Sequence, residues 1–246
     1  MVKQIPNIIT SLNILCGCVA ILFAISGDLV TASFFVFTGI FFDFFDGLAS
    51  RWLKAHSKVG LQLDSLADVI TSGVAPAIVM VQLLSESIND MGIQSFLEST
   101  DITAWSIGKN SLMPLVGLLI AVAAAYRLAK FNVDTRQSDS FIGLPTPANA
   151  IMILSLPLIL HFQHSEQLES IIMHQWFLLG MTVFSCIIMN AEVRLFALKF
   201  KTWDLKSNGI RYLFLVLSAV ALVFLKFLAI PVIIVLYFLL SLFRKN

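Results

Sequence analysis

Asp43-Phe44-Phe45-Asp46-Gly47-Leu48-Ala49-Ser50-Arg51 is followed nine residues later by Gly60-Leu61-Gln62-Leu63-Asp64-Ser65-Leu66-Ala67-Asp68, with apolar sequence on both sides. Two carboxylates stand three apart and two more stand four apart. On a helix such positions stack on one face, so Asp43 shares a face with Asp46 and Asp64 with Asp68. Four acids can therefore converge between two helices. An unpaired carboxylate at mid-membrane costs on the order of 2.5 to 3.5 kcal/mol on insertion scales, and intramembrane acids usually line a cavity or a substrate path. Clustered acids need cations. Hard divalent ions take carboxylate and phosphate oxygens, so the acids read as a metal site completed by a phosphorylated ligand. The bland alternative pairs them with Arg51, Lys54 and Lys58 at the membrane surface.

The composition makes the membrane context explicit. Of 246 residues 58% are hydrophobic and 13% charged, and mean hydropathy is +0.90, whereas an average soluble domain is about 45 to 50% apolar. The net charge of +1 argues for neither a nucleic-acid nor an acidic partner. Cys16, Cys18 and Cys186 lie in apolar stretches without a CxxC pair and read as packed thiols. No small-residue cleavage site follows Cys16, so the first apolar run is expected to be a retained helix.

At about 20 residues per span, breakers and charges delimit eight expected helices: Ile8 to Ser26, Leu29 to Trp52, Leu61 to Leu84, Leu112 to Phe131, Ala148 to Phe162, Ile171 to Glu192, Ile210 to Leu225 and Ala229 to Phe243. The last two read as a hairpin because of Lys226 and Pro231. The expectation is an all-α integral membrane protein forming one membrane domain over residues 1–246, with a core over about 5–200 and a terminal hairpin over about 208–246. Such a topology puts 14 of the 16 basic residues on one side, leaving Lys109 and Lys226 opposite. Asp28, the Glu86 to Asp101 segment, Glu166 and Glu169 mark the other side. By the positive-inside rule both termini are then cytoplasmic, and the Asp pairs lie at the cytoplasmic ends of spans two and three. The Ser85 to Ser111 connection is expected to be a loop with a short surface helix facing away from the acids. Internal repeats, which would favour a transporter of inverted halves, are not seen.

Gly47 follows Asp46, and Gly60 precedes Asp64 by one turn. Either lets a ligand or a neighbouring helix approach closely. Arg51 offers a planar fork suited to phosphate, or a membrane-surface anchor. Ser57 is placed to donate to a phosphate or nucleotide, or is a solvated loop hydroxyl.

The spacing resembles the signature of the CDP-alcohol phosphotransferase family, D-x2-D-G-x2-A-R-x8-G-x3-D-x3-D. Asp43, Asp46, Gly47, Arg51, Gly60, Asp64 and Asp68 match at every interval, and Ser50 stands where the family has Ala. The resemblance implies a helical membrane fold with two divalent cations, Mg²⁺ or Mn²⁺, held by Asp43, Asp46, Asp64 and Asp68. It also makes Asp68 the general base, and Gly47, Arg51, Ser57 and Gly60 contacts for the CDP moiety. Pro6-Asn7-Ile8-Ile9-Thr10 looks like the first-helix segment that closes over the nucleotide, adding Asn7 and Thr10. Family members are commonly homodimers. A bacterial or archaeal cytoplasmic membrane, with the site facing the cytoplasm, is the expected location.

Two further stretches, Tyr126-Arg127-Leu128-Ala129-Lys130-Phe131-Asn132 and Gly143-Leu144-Pro145-Thr146-Pro147, are similar to the branch of the family that joins CDP-diacylglycerol to L-serine, although Lys130 stands where Arg is commoner. Arg127 and Lys130 would bind the serine carboxylate or the lipid phosphate; the bland reading is cytoplasmic anchoring. The rival readings are the same chemistry with glycerol 3-phosphate or an inositol phosphate as acceptor, an intramembrane prenyltransferase, and a divalent-cation transporter. Beyond Ala150 no chemistry is assigned. His161 and His164 form an i,i+3 pair that, with His174, reads as interfacial, as do Trp176 and Trp203.

Overall fold

The structure, a computed structural model, describes residues 4–55, 57–95, 112–134, 142–163, 165–195 and 205–242. Of the residues named above, Lys109, His164, Trp203 and Phe243 lie outside these, as does most of the Ser85 to Ser111 connection.

The described chain is helical. Helix α1 (Ile5–Ile25) begins with Pro6 in its first turn, where a missing N–H costs nothing. Helix α2 (Leu29–Trp52) is capped by Asp28, whose carboxylate accepts from the Thr31 N–H at 3.0 Å. That hydrogen bond holds the Asp28 carboxyl below the usual carboxylate range. Helix α3 (Lys58–Asp68) is capped by Ser57 and continues without a break through a π-helical turn (Val69–Val74) into α4 (Ala75–Asn89). Pro76 has no N–H to offer the Ser72 carbonyl, one local reason for the ladder to change register there.

A 3₁₀ stretch (Met113–Leu118) leads into α5 (Leu119–Val133). Helices α6 (Thr146–Phe162), α7 (Glu166–Ile172), α8 (Gln175–Asn190), α9 (Leu205–Leu225) and α10 (Ala229–Leu242) complete the order.

The all-α membrane fold holds. Ile5–Ile25, Leu29–Trp52, Lys58–Asn89, Met113–Val133 and Gly209–Leu242 are long and apolar enough to cross a bilayer. Two of the eight expected spans are less regular. Ile171 to Glu192 is not one straight helix: α7 and α8 meet at a 59° bend. Helix α6 has 17 residues, about 25 Å against a hydrocarbon core of about 30 Å. Gly209–Leu242 is helical almost throughout, yet it is two helices side by side. Phe214 and Tyr237 have ring centroids 5.4 Å apart, whereas 23 residues of straight helix would separate them by about 34 Å. The reversal falls at Lys226, where φ is +50°, as the hairpin reading expects.

The span formed by α3 and α4 is central. Two-thirds of it is buried in the protein, against one-third for α1, α2 and the Met113–Val133 segment. Lipid is as apolar as a leucine side chain, so helices in a membrane associate through close packing of small residues. Ala20, Ala24, Ala32, Ala75, Ala124 and Ala150 accordingly fill the core with Val36, Met80, Ile120 and Ile153. One tight point lies beside the π turn. A Cβ on Gly39 would come 2.6 Å from Thr71 Cγ2 and 2.8 Å from Asn13 Oδ1, and one on Gly17 would come 2.5 Å from Thr71 Oγ1. Thr71 closes the junction by donating to the Asn13 carbonyl at 3.1 Å. Helices α1, α2 and the π turn are thereby locked one turn beyond the four acids.

Residues 142–144 are clasped to the end of α8 and the segment just beyond it. Gly143 N–H donates to the Val193 carbonyl at 3.0 Å and Leu144 N–H to the Ile188 carbonyl at 2.9 Å. At Gly143 φ is +73°, and a Cβ would sit 2.3 Å from the Met189 carbonyl oxygen, so glycine is required there.

Candidate active site

Asp43 and Asp46 lie near the end of α2 and Asp64 on α3, and the packing of both helices against α1 brings them together. A carboxylate oxygen from each lies within 4.8 Å of the others. Asp46 is 4% exposed, and Thr10 Oγ1, reaching across from α1, donates to its Oδ2 at 2.5 Å. Asp68 stands one turn beyond Asp64 and outside this tight trio, though its charge interacts with those of Asp46, Asp64 and Arg127. Three anions drawn this close repel strongly at low dielectric. An all-oxygen donor set relieves that repulsion best by binding hard divalent cations, so the residues fit the metals that the motif implies. The alternative of pairing with Arg51 is not seen: Arg51 Nε donates to the Gly47 carbonyl at 3.0 Å.

Beside the acids is a cavity of about 590 Å³. Asn7, Thr10, Gly47, Arg51, Ser57 and Gly60, the six residues expected to contact CDP, all line it, together with Asp46 and Asp64. Each is held there by local structure. The Ser57 hydroxyl oxygen accepts from the Gly60 N–H at 2.9 Å as the cap of α3, which leaves its own proton free to donate. The Arg51 to Gly47 bond fixes the guanidinium over the rim.

The two glycines play different parts. A Cβ on Gly60 would lie 2.9 Å from both Asn7 Oδ1 and Ser57 Oγ, so Gly60 serves close approach of α1 to α3, whereas at Gly47 nothing stands within 4 Å. Gly47 leaves open space.

Arg127 and Lys130 line a different, much smaller cavity with Ile142, Met189, Asn190 and Ala191. Phe131 lines both. Arg127 is 7% exposed, faces Asp68 electrostatically and lies 6.0 Å from the Phe131 ring centroid. Lys130 is turned outward to Glu192, Nζ to Oε1 3.2 Å. Asn132 donates to Ser65 Oγ at 2.9 Å, tying the end of α5 to α3. Sequence reasoning missed Ser50, Ala55 and Phe131 in the larger cavity. It also missed the buried side chains of Ser72, Thr146 and Asn149, which have no hydrogen-bond partner, and the half-buried Asn190, which lines the smaller cavity with Arg127. Thr146 was in view only as a motif letter.

Comparison with known proteins agrees with this geometry. The profile of the CDP-alcohol phosphatidyltransferase family matches residues 3–188. The chain belongs to that family. It is 35% identical over 158 residues to the CDP-diacylglycerol–serine O-phosphatidyltransferase of Bacillus subtilis, covering 63% of this chain and 75% of that one. It is 29% identical over 223 residues to the protein of the same name in Helicobacter pylori J99, covering 90% and 81%. The archaetidylserine synthase of Methanothermobacter thermautotrophicus is 32% identical over 154 residues, covering 61% and 56%.

Proposed function

We propose that this membrane enzyme transfers the phosphatidyl group of CDP-diacylglycerol to the hydroxyl of L-serine, giving phosphatidylserine and CMP. The observation that carries it is the seating of Asp43, Asp46 and Asp64 beside a cavity of about 590 Å³ lined by all six expected nucleotide contacts. The names of the relatives support serine as the acceptor.

Asp43, Asp46, Asp64 and Asp68 would hold two divalent cations, Mg²⁺ or Mn²⁺. When bound, these supply charge neutralisation for a diphosphate and for departing CMP. The chain's own residues do the rest. Thr10 fixes the orientation of the Asp46 carboxylate. Arg51 and Ser57 meet the CDP phosphates as donors at the rim, and Gly47 leaves room for the nucleotide. Asp68 takes the proton from the serine hydroxyl, whose oxygen attacks the phosphorus bearing the diacylglycerol, and the bond from that phosphorus to CMP breaks. Arg127, beside Asp68, is placed for the serine carboxylate; Lys130, committed to Glu192, is a weaker candidate for the lipid phosphate. The basic residues favour a site on the cytoplasmic face of a bacterial or archaeal inner membrane, where soluble serine enters from the cytosol and the lipid tails stay in the bilayer. A homodimer is the assembly expected from the family.

The test mixes purified protein, CDP-diacylglycerol and Mg²⁺ or Mn²⁺ with labelled serine, or with glycerol 3-phosphate or inositol phosphate, and identifies the lipid formed. Phosphatidylserine with stoichiometric CMP is expected. Product only from a phosphorylated alcohol overturns the acceptor, and CDP-independent metal flux in proteoliposomes would favour a transporter.

A further inference from the structure

The π turn that follows Asp68 and the two helices packed on it carry polar side chains that the protein does not satisfy. Ser72 lies in the π turn, Thr146 and Asn149 at the start of α6, and Arg127 on α5. The first three are 0% exposed and Arg127 is 7% exposed. Among the described residues, Ser72 Oγ, Thr146 Oγ1, both polar side-chain atoms of Asn149 and Arg127 Nε have no hydrogen-bond partner. An asparagine amide alone offers two donors and an acceptor with two lone pairs. Buried groups of this kind are normally met by protein, water or ligand, and intramembrane polar groups are kept where they serve a polar path.

These side chains stand on elements that pack together, because α5 and α6 both contact the π turn and each other. A Cβ on Gly73 would touch Ala124 at 3.1 Å. Arg127, one turn further along α5 on the same face, interacts with the charge of Asp68. Asn149 shares its stripe of α6 with Ile153 and Leu156, which lie in the same core cluster as Ala75 and Ala124. It therefore faces the protein interior.

We infer that Ser72, Thr146 and Asn149 form the ammonium-reading side of an acceptor pocket whose carboxylate-reading side is Arg127. This rests on the proposed serine transfer and says how serine would be told from other alcohols. The chemistry of a zwitterion matches what is left unpaired. A carboxylate takes the Arg127 N–H, an ammonium donates to hydroxyl oxygens and to the Asn149 amide oxygen, and the alcohol lies toward Asp68. A phosphorylated acceptor would instead require several cations, and the unpaired groups here include one. Sites that hydrogen-bond a substrate group reject analogues lacking it far more strongly than apolar pockets reject a missing methylene.

The test uses the near-isosteric variants Asn149→Leu and Thr146→Val in the full-length enzyme. Because these polar atoms have no protein partner, replacing them with apolar groups leaves folding unharmed or improves it, so thermal stability is expected to be equal or higher. The KM for serine should rise about tenfold or more, with the KM for CDP-diacylglycerol unchanged. Inhibition by ethanolamine, which keeps the ammonium and lacks the carboxylate, should weaken in parallel. Inhibition by 3-hydroxypropionate, which keeps the carboxylate and lacks the ammonium, should stay as in the wild type. An unchanged serine KM in a stable variant, or equal weakening toward both inhibitors, overturns the inference while leaving serine transfer intact. Failure of the wild-type enzyme to use serine strikes the proposed function itself and is seen before any variant is made.

Discussion

Replacing Thr10 with valine removes one hydroxyl and almost no volume; that hydroxyl lies between Asp46 Oδ2 and, at 3.0 Å, the Pro6 carbonyl of its own helix, and only its loss from Asp46 bears on the acids. Asp46 Oδ2 lies 2.5 Å from Thr10 Oγ1 and the residue is 4% exposed, so water cannot readily replace the lost donor. A hydrogen bond to a charged group contributes about 1.5 to 3 kcal/mol, which is roughly a ten- to 150-fold change at 1.4 kcal/mol per decade. Groups that orient metal ligands independently cost about 10- to 100-fold in metal affinity when removed. Both routes give the same expectation: the Mg²⁺ or Mn²⁺ concentration for half-maximal transfer rises by one to two decades, and kcat at saturating metal falls much less. Thr10→Ser keeps the hydroxyl and should restore the curve. The assay is CMP release against metal concentration at fixed CDP-diacylglycerol and serine. Thr10 also lines the nucleotide cavity, so the competing outcome is specific. If the metal curve is unmoved and only the KM for CDP-diacylglycerol rises, Thr10 touches substrate and does not orient Asp46, and the reasoning fails.

Three other perturbations probe separate parts of the site. Asp68→Asn should lower kcat by about 10²- to 10⁴-fold, the usual contribution of a general base, while CDP binding by calorimetry persists; near-normal turnover would remove Asp68 from the mechanism. Gly47→Ala meets no atom within 4 Å and gains about 0.5 to 1 kcal/mol of helix propensity, so melting temperature should rise even as the KM for CDP-diacylglycerol rises, because the new methyl occupies nucleotide space. Gly39→Ala should do the reverse. Its Cβ would press on Thr71 and Asn13, and overpacking costs about 1 to 3 kcal/mol, measured as a lower melting temperature in detergent with KM values little changed in the folded fraction.

How much of this was legible depends on whether the information is local. Asp43, Asp46 and Asp64 could be placed from intervals alone, since a spacing of three or four fixes a helix face whatever the helix packs against. Ser57 was ambiguous by position, a donor or a solvated loop hydroxyl, and took its role only from the family resemblance. Its capping bond to Gly60 is compatible with the nucleotide role and was not foreseen. Asn7 and Thr10 were visible only as part of a short motif, because nothing in α1 by itself says that its first turns cross the end of α2. The break between α7 and α8 was read as continuous helix, since Met173 and His174 carry no breaker signal. Ser72 and Asn149 gave no signal either. A buried serine or asparagine in an apolar run looks like any tolerated polar residue until its partners are found missing.

The π turn explains why one continuous span can serve both the site and the core. In an α-helix each residue advances the face by about 100°, so an extra residue accommodated in a π turn rotates everything downstream by about that amount relative to the upstream part. Before the turn, Asp64 and Gly60 face the cavity shared with α1 and α2. After it, Met80, Leu83 and Leu84 are buried among the apolar helices. The turn itself is wedged by Gly17 and Gly39 against Thr71 on one side and by Ala124 against Gly73 on the other. Small residues at those positions keep α1, α2 and α5 close to it. The same contacts that pack the bundle therefore fix the angle between the acid face and the buried face. A bulky substitution at Gly73 should consequently disturb the Asp68 and Arg127 pair before it disturbs the Asp43, Asp46 and Asp64 trio, because Ala124 and Arg127 share one face of α5 whereas Asp43 and Asp46 stand on α2 and Asp64 lies more than two turns before Gly73, where α3 packs on α1.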